Sequence, residues 1–180
     1  MKMKIKKLAY LLIAPFIVLL CMAAGNKRSA YTPQDIEIKK TWNSFLKAIE
    51  KKERRSFKDL SKSKIRCYPC LENTPEEQAY IAQLHETDTL WYDTIYEDLI
   101  YVPVDTFISQ DFDLFFNPEF VTLLKERETT FYKQDLEGVS YWEILVTTTE
   151  PSFFHEGGQH HFRFEKCADG WKLNDIGTIP

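Results

Sequence analysis

Apolar residues recur at steps of three and four through the first half of the chain and alternate with polar ones through the last third, which predicts helices first and strands last. Ile38, Trp42, Phe45, Leu46 and Ile49 share one face of a 3.6-residue repeat, and Lys39, Lys40, Asn43, Lys47 and Glu50 take the opposite face. That is a long amphipathic helix. Its start is written in Thr32-Pro33-Gln34-Asp35: a capping threonine, a proline where a missing N–H costs nothing, and an acid near the positive end of the dipole. A short second helix with Phe57 and Leu60 inward is predicted to about residue 61, then a strand over 64–68 and a loop over 69–73. Thr74-Pro75-Glu76-Glu77 repeats the Thr-Pro-x-acid start, and Ala79, Tyr80, Ile81 and Leu84 form the side this third helix would bury. Residues 87–104, rich in Tyr, Ile, Leu and Trp, are predicted as one extended pass. Helical turns follow over 105–115 and, after Asn117-Pro118-Glu119, over 120–127.

Four β-rich runs end the chain, over 129–134, 139–149, 159–166 and 171–179. Asp135-Leu136-Glu137-Gly138, residues 151–158 and Ala168-Asp169-Gly170 separate them as hairpin connections. Trp142, Ile144 and Val146 fall on one face of their strand, as do Phe162 with Phe164 and Trp171 with Leu173, so an antiparallel sheet can turn one apolar surface to the helices. The prediction is an α+β fold in two layers, a single domain over residues 34–180.

The first residues belong to a different pattern. Lys2, Lys4, Lys6 and Lys7 precede seventeen uncharged residues, Leu8 to Ala24, that end in Ala23, Ala24 and Gly25. A cationic start, an apolar stretch too short and too proline-interrupted (Pro15) for a comfortable span, and small residues at its end predict an export signal over residues 1–24, followed by a tether over 25–33. Val18-Leu19-Leu20-Cys21 partly resembles a lipobox, in which Cys21 would be lipidated. A lipobox has a small residue before the cysteine and Leu20 is large, so two outcomes stand: lipidation of Cys21, or ordinary cleavage after Ala23 or Ala24. Either places the protein in the periplasm or on a lipid anchor at the outer membrane.

Cleavage there removes four lysines and no acid, leaving 19 basic and 27 acidic groups and a formal charge of −8. That balance excludes a nucleic-acid binder, because the one basic cluster, Lys51, Lys52, Arg54 and Arg55, sits where a helix end accounts for it. The 44 % hydrophobic content fills a core of the expected size, and 6 Gly and 8 Pro exclude a fibrous chain.

A long helix with Trp and Phe inside, a shorter helix, and a terminal meander carrying Phe162-Arg163-Phe164-Glu165-Lys166 and then Asp169-Gly170-Trp171-Lys172-Leu173-Asn174-Asp175-Ile176 together resemble the nuclear transport factor 2-like superfamily over most of residues 34–179. The resemblance implies a curved antiparallel sheet wrapped on the long helix as a cone, and exported or lipid-anchored members from Bacteroidetes combine that order with such a leader. Enzymes of the superfamily, steroid isomerases and polyketide cyclases among them, keep an acid or an Asp/His pair inside the cone; no residue here matches those motifs, so the resemblance implies no activity.

Cys67-Tyr68-Pro69-Cys70 is the sharpest local motif, and three chemistries use it. A redox dithiol needs the first sulfur at a helix start after a βαβ unit, and a zinc site needs two further ligands; the remaining candidates, Cys167, His85, His155, His160 and His161, form no second unit. In an oxidising compartment the motif reads as a structural disulfide, within the pair or from one of them to Cys167. His155-Glu156-Gly157-Gly158-Gln159-His160-His161 misses the helical spacing of a zinc protease and reads as a glycine-rich hairpin with His160 and His161 on opposite strand faces. Asp111, Asp113 and His85 are the candidates for acid–base work inside a cone, and Trp42, Phe45, Trp142, Phe162 and Trp171 for lining a small apolar pocket. No cofactor or metal is called for. The residues point to an exported module that binds a small molecule or an envelope protein, with dimerisation open; the alternatives are an isomerase or dehydratase using one buried Asp or His, and a thiol protein working through Cys67 and Cys70.

Overall fold

Helix α1, Pro33–Glu50, buries Ile38, Trp42, Phe45, Ala48 and Ile49 along one side, following the 3.6-residue repeat. It stops where Lys52 takes a left-handed conformation (φ 54°), and α2, Arg54–Asp59, adds Phe57 to the same core. Fully burying such a side chain contributes about 1.5–3 kcal/mol, so this helical stripe is a main source of stability. The computed structural model describes residues 33–153 and 156–179. The predicted leader with Cys21, the capping Thr32, and His155 lie outside the described residues. Among the described residues, Glu37–Pro180 is one compact unit that carries the sheet and every helix after α1.

Strand β1, Ser61–Cys67, runs into a 3-10 turn, Pro69–Leu71, and then into α3, Pro75–Thr87. Thr74 and Glu77 close a reciprocal capping box: the Thr74 hydroxyl accepts the Glu77 N–H, and the Glu77 carboxylate accepts the Thr74 N–H. Of the four residues expected on the inner side of α3, only Ile81 is buried; Tyr80 is 49 % exposed, Ala79 is exposed and Leu84 is intermediate. The helix rests on the domain along a narrow line.

The extended pass expected over 87–104 is corrected. Asp88 accepts the Leu90 N–H and the Thr94 hydroxyl, which starts a helical turn at Trp91–Asp93 that continues as a π-helix, Thr94–Leu99. Ile95 and Ile100, five apart, point inward, a spacing that a wide helical turn satisfies and a strand does not. Only Tyr101–Pro103 is extended, as β2. Three short helical pieces follow, Val104–Thr106, Phe107–Asp111 and Phe112–Phe115, then α4, Pro118–Glu126, capped by Asn117.

Strands β3 (Thr129–Leu136), β4 (Val139–Thr149), β5 (Gly158–Cys167) and β6 (Gly170–Ile179) form the meander. Glu137 (φ 52°) and Gly138 (φ 82°) supply the two left-handed positions that a two-residue hairpin matching the strand twist requires. The six strands make one sheet in the order β2-β1-β6-β5-β4-β3. One joint departs from the expected antiparallel sheet: β1 lies parallel to β6, with Arg66 opposite Asp175 and Cys67 opposite Ile176. The helices cover one face, where Trp142, Ile144, Val146, Phe162, Phe164, Trp171, Leu173 and Ile176 join the helical residues in a single hydrophobic cluster. The architecture is α+β. Among the described residues no helix is long and apolar enough to cross a membrane.

Candidate functional site

Between the sheet and the helices, aromatic rings pack on one another. Phe45 stacks on Trp42 at 5.1 Å and meets Phe162 at 5.4 Å and Phe164 at 5.9 Å, and Phe57 stacks on Phe107 at 5.3 Å. Trp42, Phe45, Trp142, Phe162 and Trp171, the candidates for pocket lining, all belong to the hydrophobic core at 6 % exposure or less, and Trp42, Phe45 and Phe162 stand in the ring packing. Trp42 also borders a shallow surface cleft of about 300 Å³ with Lys39, Leu46 and Phe131.

The face of the sheet turned away from the helices carries a row of charge. Register places Tyr132, Glu143, Arg163, Asp175, Arg66 and Tyr101 side by side across all six strands, aromatic at both ends and alternating in charge between. Asp175 is 2 % exposed and sits at the centre. Its Oδ2 lies 3.4 Å from Arg66 Nη1 and 3.6 Å from Arg163 Nη1, and its Oδ1 lies 3.2 Å from His161 Nε2. Arg163 also reaches Glu143 at 3.5 Å, and Gln134 donates to the same carboxylate at 3.1 Å. A carboxylate oxygen only accepts, so Nε2 is the donor of the His161–Asp175 bond and Nδ1 is the ring nitrogen turned away from it. That Nδ1, like Arg163 Nε, is buried with no hydrogen-bond partner among the described residues. Gly177 makes room for the ring, since a Cβ there would collide with it. An imidazole held by a buried carboxylate, with its far nitrogen unpartnered among the described residues, has the form of an acid–base group.

His160, one residue earlier, faces the helices. It packs on Phe120 at 4.6 Å and bonds the Thr148 hydroxyl at 3.0 Å. Burial, helped by the neighbouring His161, pushes its pKa down to about 4, so the ring is neutral at physiological pH.

Cys67 and Cys70 are joined by a disulfide, with their Cα atoms 5.4 Å apart, and among the described residues Cys167 is a free thiol. Cys67 is fully buried and Cys70 is 3 % exposed, which closes the bond to an attacking thiolate. The three acid–base candidates have different partners. Asp111 is buried and accepts from Asn73 Nδ2 at 2.8 Å; desolvation raises its pKa, the Asn73 bond opposes the rise and Glu77 adds to it. Asp113 is exposed and bonded by Lys52 and Arg54, which hold its carboxyl below the usual range. His85 lies exposed on α3 against Trp91 at 4.2 Å. Among the described residues no group of three or more His, Cys, Asp or Glu is placed to hold a metal.

Asp175, Arg163 and Arg66 were not among the candidates read from the sequence. Their signal was slight: one acid inside the apolar run of β6, and an arginine at each outward position opposite it.

No family model matches the chain, and no curated protein does. Among solved structures, one named "a putative dehydratase from the NTF2-like family", from Streptomyces avermitilis, is similar at 13 % identity over 83 % of this chain and 98 % of that one, with a TM-score of 0.36. A likeness of that size assigns neither family nor activity to this chain.

Proposed function

We propose that the protein is an exported or lipid-anchored envelope protein of the nuclear transport factor 2-like type, acting as a non-catalytic protein-interaction module. One observation supports the reading: Trp42, Phe45, Phe57, Phe162 and Phe164 pack ring on ring between sheet and helices, and this interior holds aromatic rings where the resemblance would call for an acid or an Asp/His pair. Export is supported by the layout of residues 1–24 and by the buried Cys67–Cys70 disulfide, which suits an oxidising compartment. A second reading has its own support, the bare Nδ1 of His161 held by Asp175, and makes the outer sheet face a proton-transfer site.

The test is the intact mass of the protein isolated from the envelope of its own host, under native and then denaturing, non-reducing conditions. A chain beginning at Cys21 with acyl chains, or beginning after Ala23 or Ala24 without them, and a native mass raised by a polypeptide are the expected results. A chain retaining residues 1–24 overturns export. A small-molecule mass lost on denaturation overturns the interaction reading in favour of ligand binding or the second reading.

A further inference from the structure

Five rings run without a break across the corner formed by the disulfide, α3 and the π-helix. His85 meets Trp91 at 4.2 Å, Trp91 meets Tyr92 at 5.7 Å, Tyr92 meets Tyr96 at 4.7 Å, and Tyr96 stacks on Tyr68 at 5.7 Å and 11°. Tyr68 lies inside the tetrapeptide that the disulfide closes, so the bond fixes the last rung. The ledge is open: Tyr92 is 57 % exposed and the neighbouring Leu90 63 %.

The charge around it is one-sided. The 58 residues from Cys67 to Leu124 hold twelve carboxylates and no Lys or Arg, whereas the other 122 hold 15 carboxylates and 23 Lys or Arg. Between residues 72 and 98, Glu77 and Asp88 serve helix starts. The other six, Glu72, Glu76, Glu86, Asp93, Glu97 and Asp98, form no ion pair among the described residues, although carboxylates elsewhere pair repeatedly with Lys and Arg. Rings elsewhere meet the chain's own cations, as Phe131 does Lys39, Phe112 does Arg54 and Trp171 does Lys166. The five rings of the ledge meet none among the described residues.

We propose that this ledge docks a basic segment of a partner polypeptide, with arginine preferred over lysine. Both halves of the surface select that chemistry. Unpaired carboxylates create a negative field that steers cations, and ring faces attract a guanidinium by cation–π contact and stacking. Arginine fits best because its planar group can lie on a ring and bond a carboxylate at its edge, which an ammonium cannot do together. A metal ion is a poor occupant, since the acids are not gathered around a point. A neutral glycan would use the rings and leave the field idle.

The inference rests on the interaction-module reading and names its partner's chemistry. Its test uses protein isolated from the host and a fluorescent dodecapeptide carrying six arginines, with lysine and glutamate counterparts and a neutral β-glucan hexasaccharide, followed by anisotropy and calorimetry. The arginine peptide is expected to bind with a Kd on the order of 10 μM at low salt, the lysine peptide several-fold more weakly, and the glutamate peptide and sugar not at all. Tyr92→Ala should weaken binding roughly fivefold or more, and Asp93→Asn with Glu97→Gln should weaken it further and flatten its salt dependence. Glu156→Gln, remote from the ledge in sequence, should change nothing. No binding, binding indifferent to Tyr92→Ala, an equal loss from Glu156→Gln, or capture of the hexasaccharide in place of the arginine peptide each overturns the proposal. If the native mass still shows a bound polypeptide while the peptide fails, the ledge is wrong and the module reading stands.

Discussion

The outer face of the sheet and the corner spanning residues 67–98 use charge and aromatic rings in opposite ways. Across the sheet, Arg66, Asp175, Arg163 and Glu143 alternate and neutralise one another, and Asp175 sinks to 2 % exposure because three partners hold it. At the corner Glu72, Glu76, Glu86, Asp93, Glu97 and Asp98 form no ion pair among the described residues and are exposed to water. The first arrangement is self-sufficient, and breaking it harms the fold; the second is incomplete, and altering it should leave the fold standing while changing what the surface attracts.

The largest expected effect is on the sheet. Asp175→Ala leaves Arg66, Arg163 and His161 around an empty place and should lower stability by about 3–5 kcal/mol, read as a shifted urea midpoint, whereas Glu97→Gln should move it by less than about 0.5 kcal/mol. Equal losses would erase the distinction. Next comes the disulfide: the Cys67→Ser, Cys70→Ser double variant should lose about 2 kcal/mol, the modest value that closing so short a loop allows.

The histidine of the inner face sharpens the comparison by pH. His160 binds its proton near pH 4 in the fold and near 6.5 when unfolded, so the unfolded chain gains protons first on acidification. Stability from this group is whole above about pH 6.5 and is lost as pH falls from there towards 4, by about 1–2 kcal/mol after allowance for its partial exposure. His160→Gln should remove that slope. The smallest effect is a gain: Asp111 is a buried carboxyl with raised pKa and no ion pair among the described residues, so Asp111→Asn, which still accepts from Asn73, should add about 1 kcal/mol at pH 7. Because the acid is neutral in both states below about pH 3.8, the gain should vanish there; a variant no more stable than the parent at pH 7 would show that Asp111 is better compensated than its partners suggest.

These regions were unequally legible. The inward stripe of α1 and the alternation of β4, β5 and β6 follow from local periodicity, and Ile38, Trp42, Phe45, Ile144, Phe162 and Leu173 are buried as that periodicity requires. Residues 87–104 misled because Tyr, Ile and Trp favour strands by composition, whereas Asp88 turned them helical through two side-chain hydrogen bonds. The Asp175 centre was hidden for a different reason: Arg66 and Asp175 meet only through a parallel pairing between strands more than a hundred residues apart, which no local pattern encodes. The acidic corner was visible as a run without Lys or Arg, but a charge summed over the whole chain conceals where it lies.

The place of β6 in the sheet bears on the order in which the protein can be made. It is the last of the six strands in sequence, yet it lies between β1 and β5 and is hydrogen-bonded to both. A chain delivered from its N-terminal end can form the helices and pair β3, β4 and β5 while the β1–β2 edge waits for a neighbour. Until residues 170–179 arrive, the core has two unjoined walls, and closing them is a long-range event that topology makes slow.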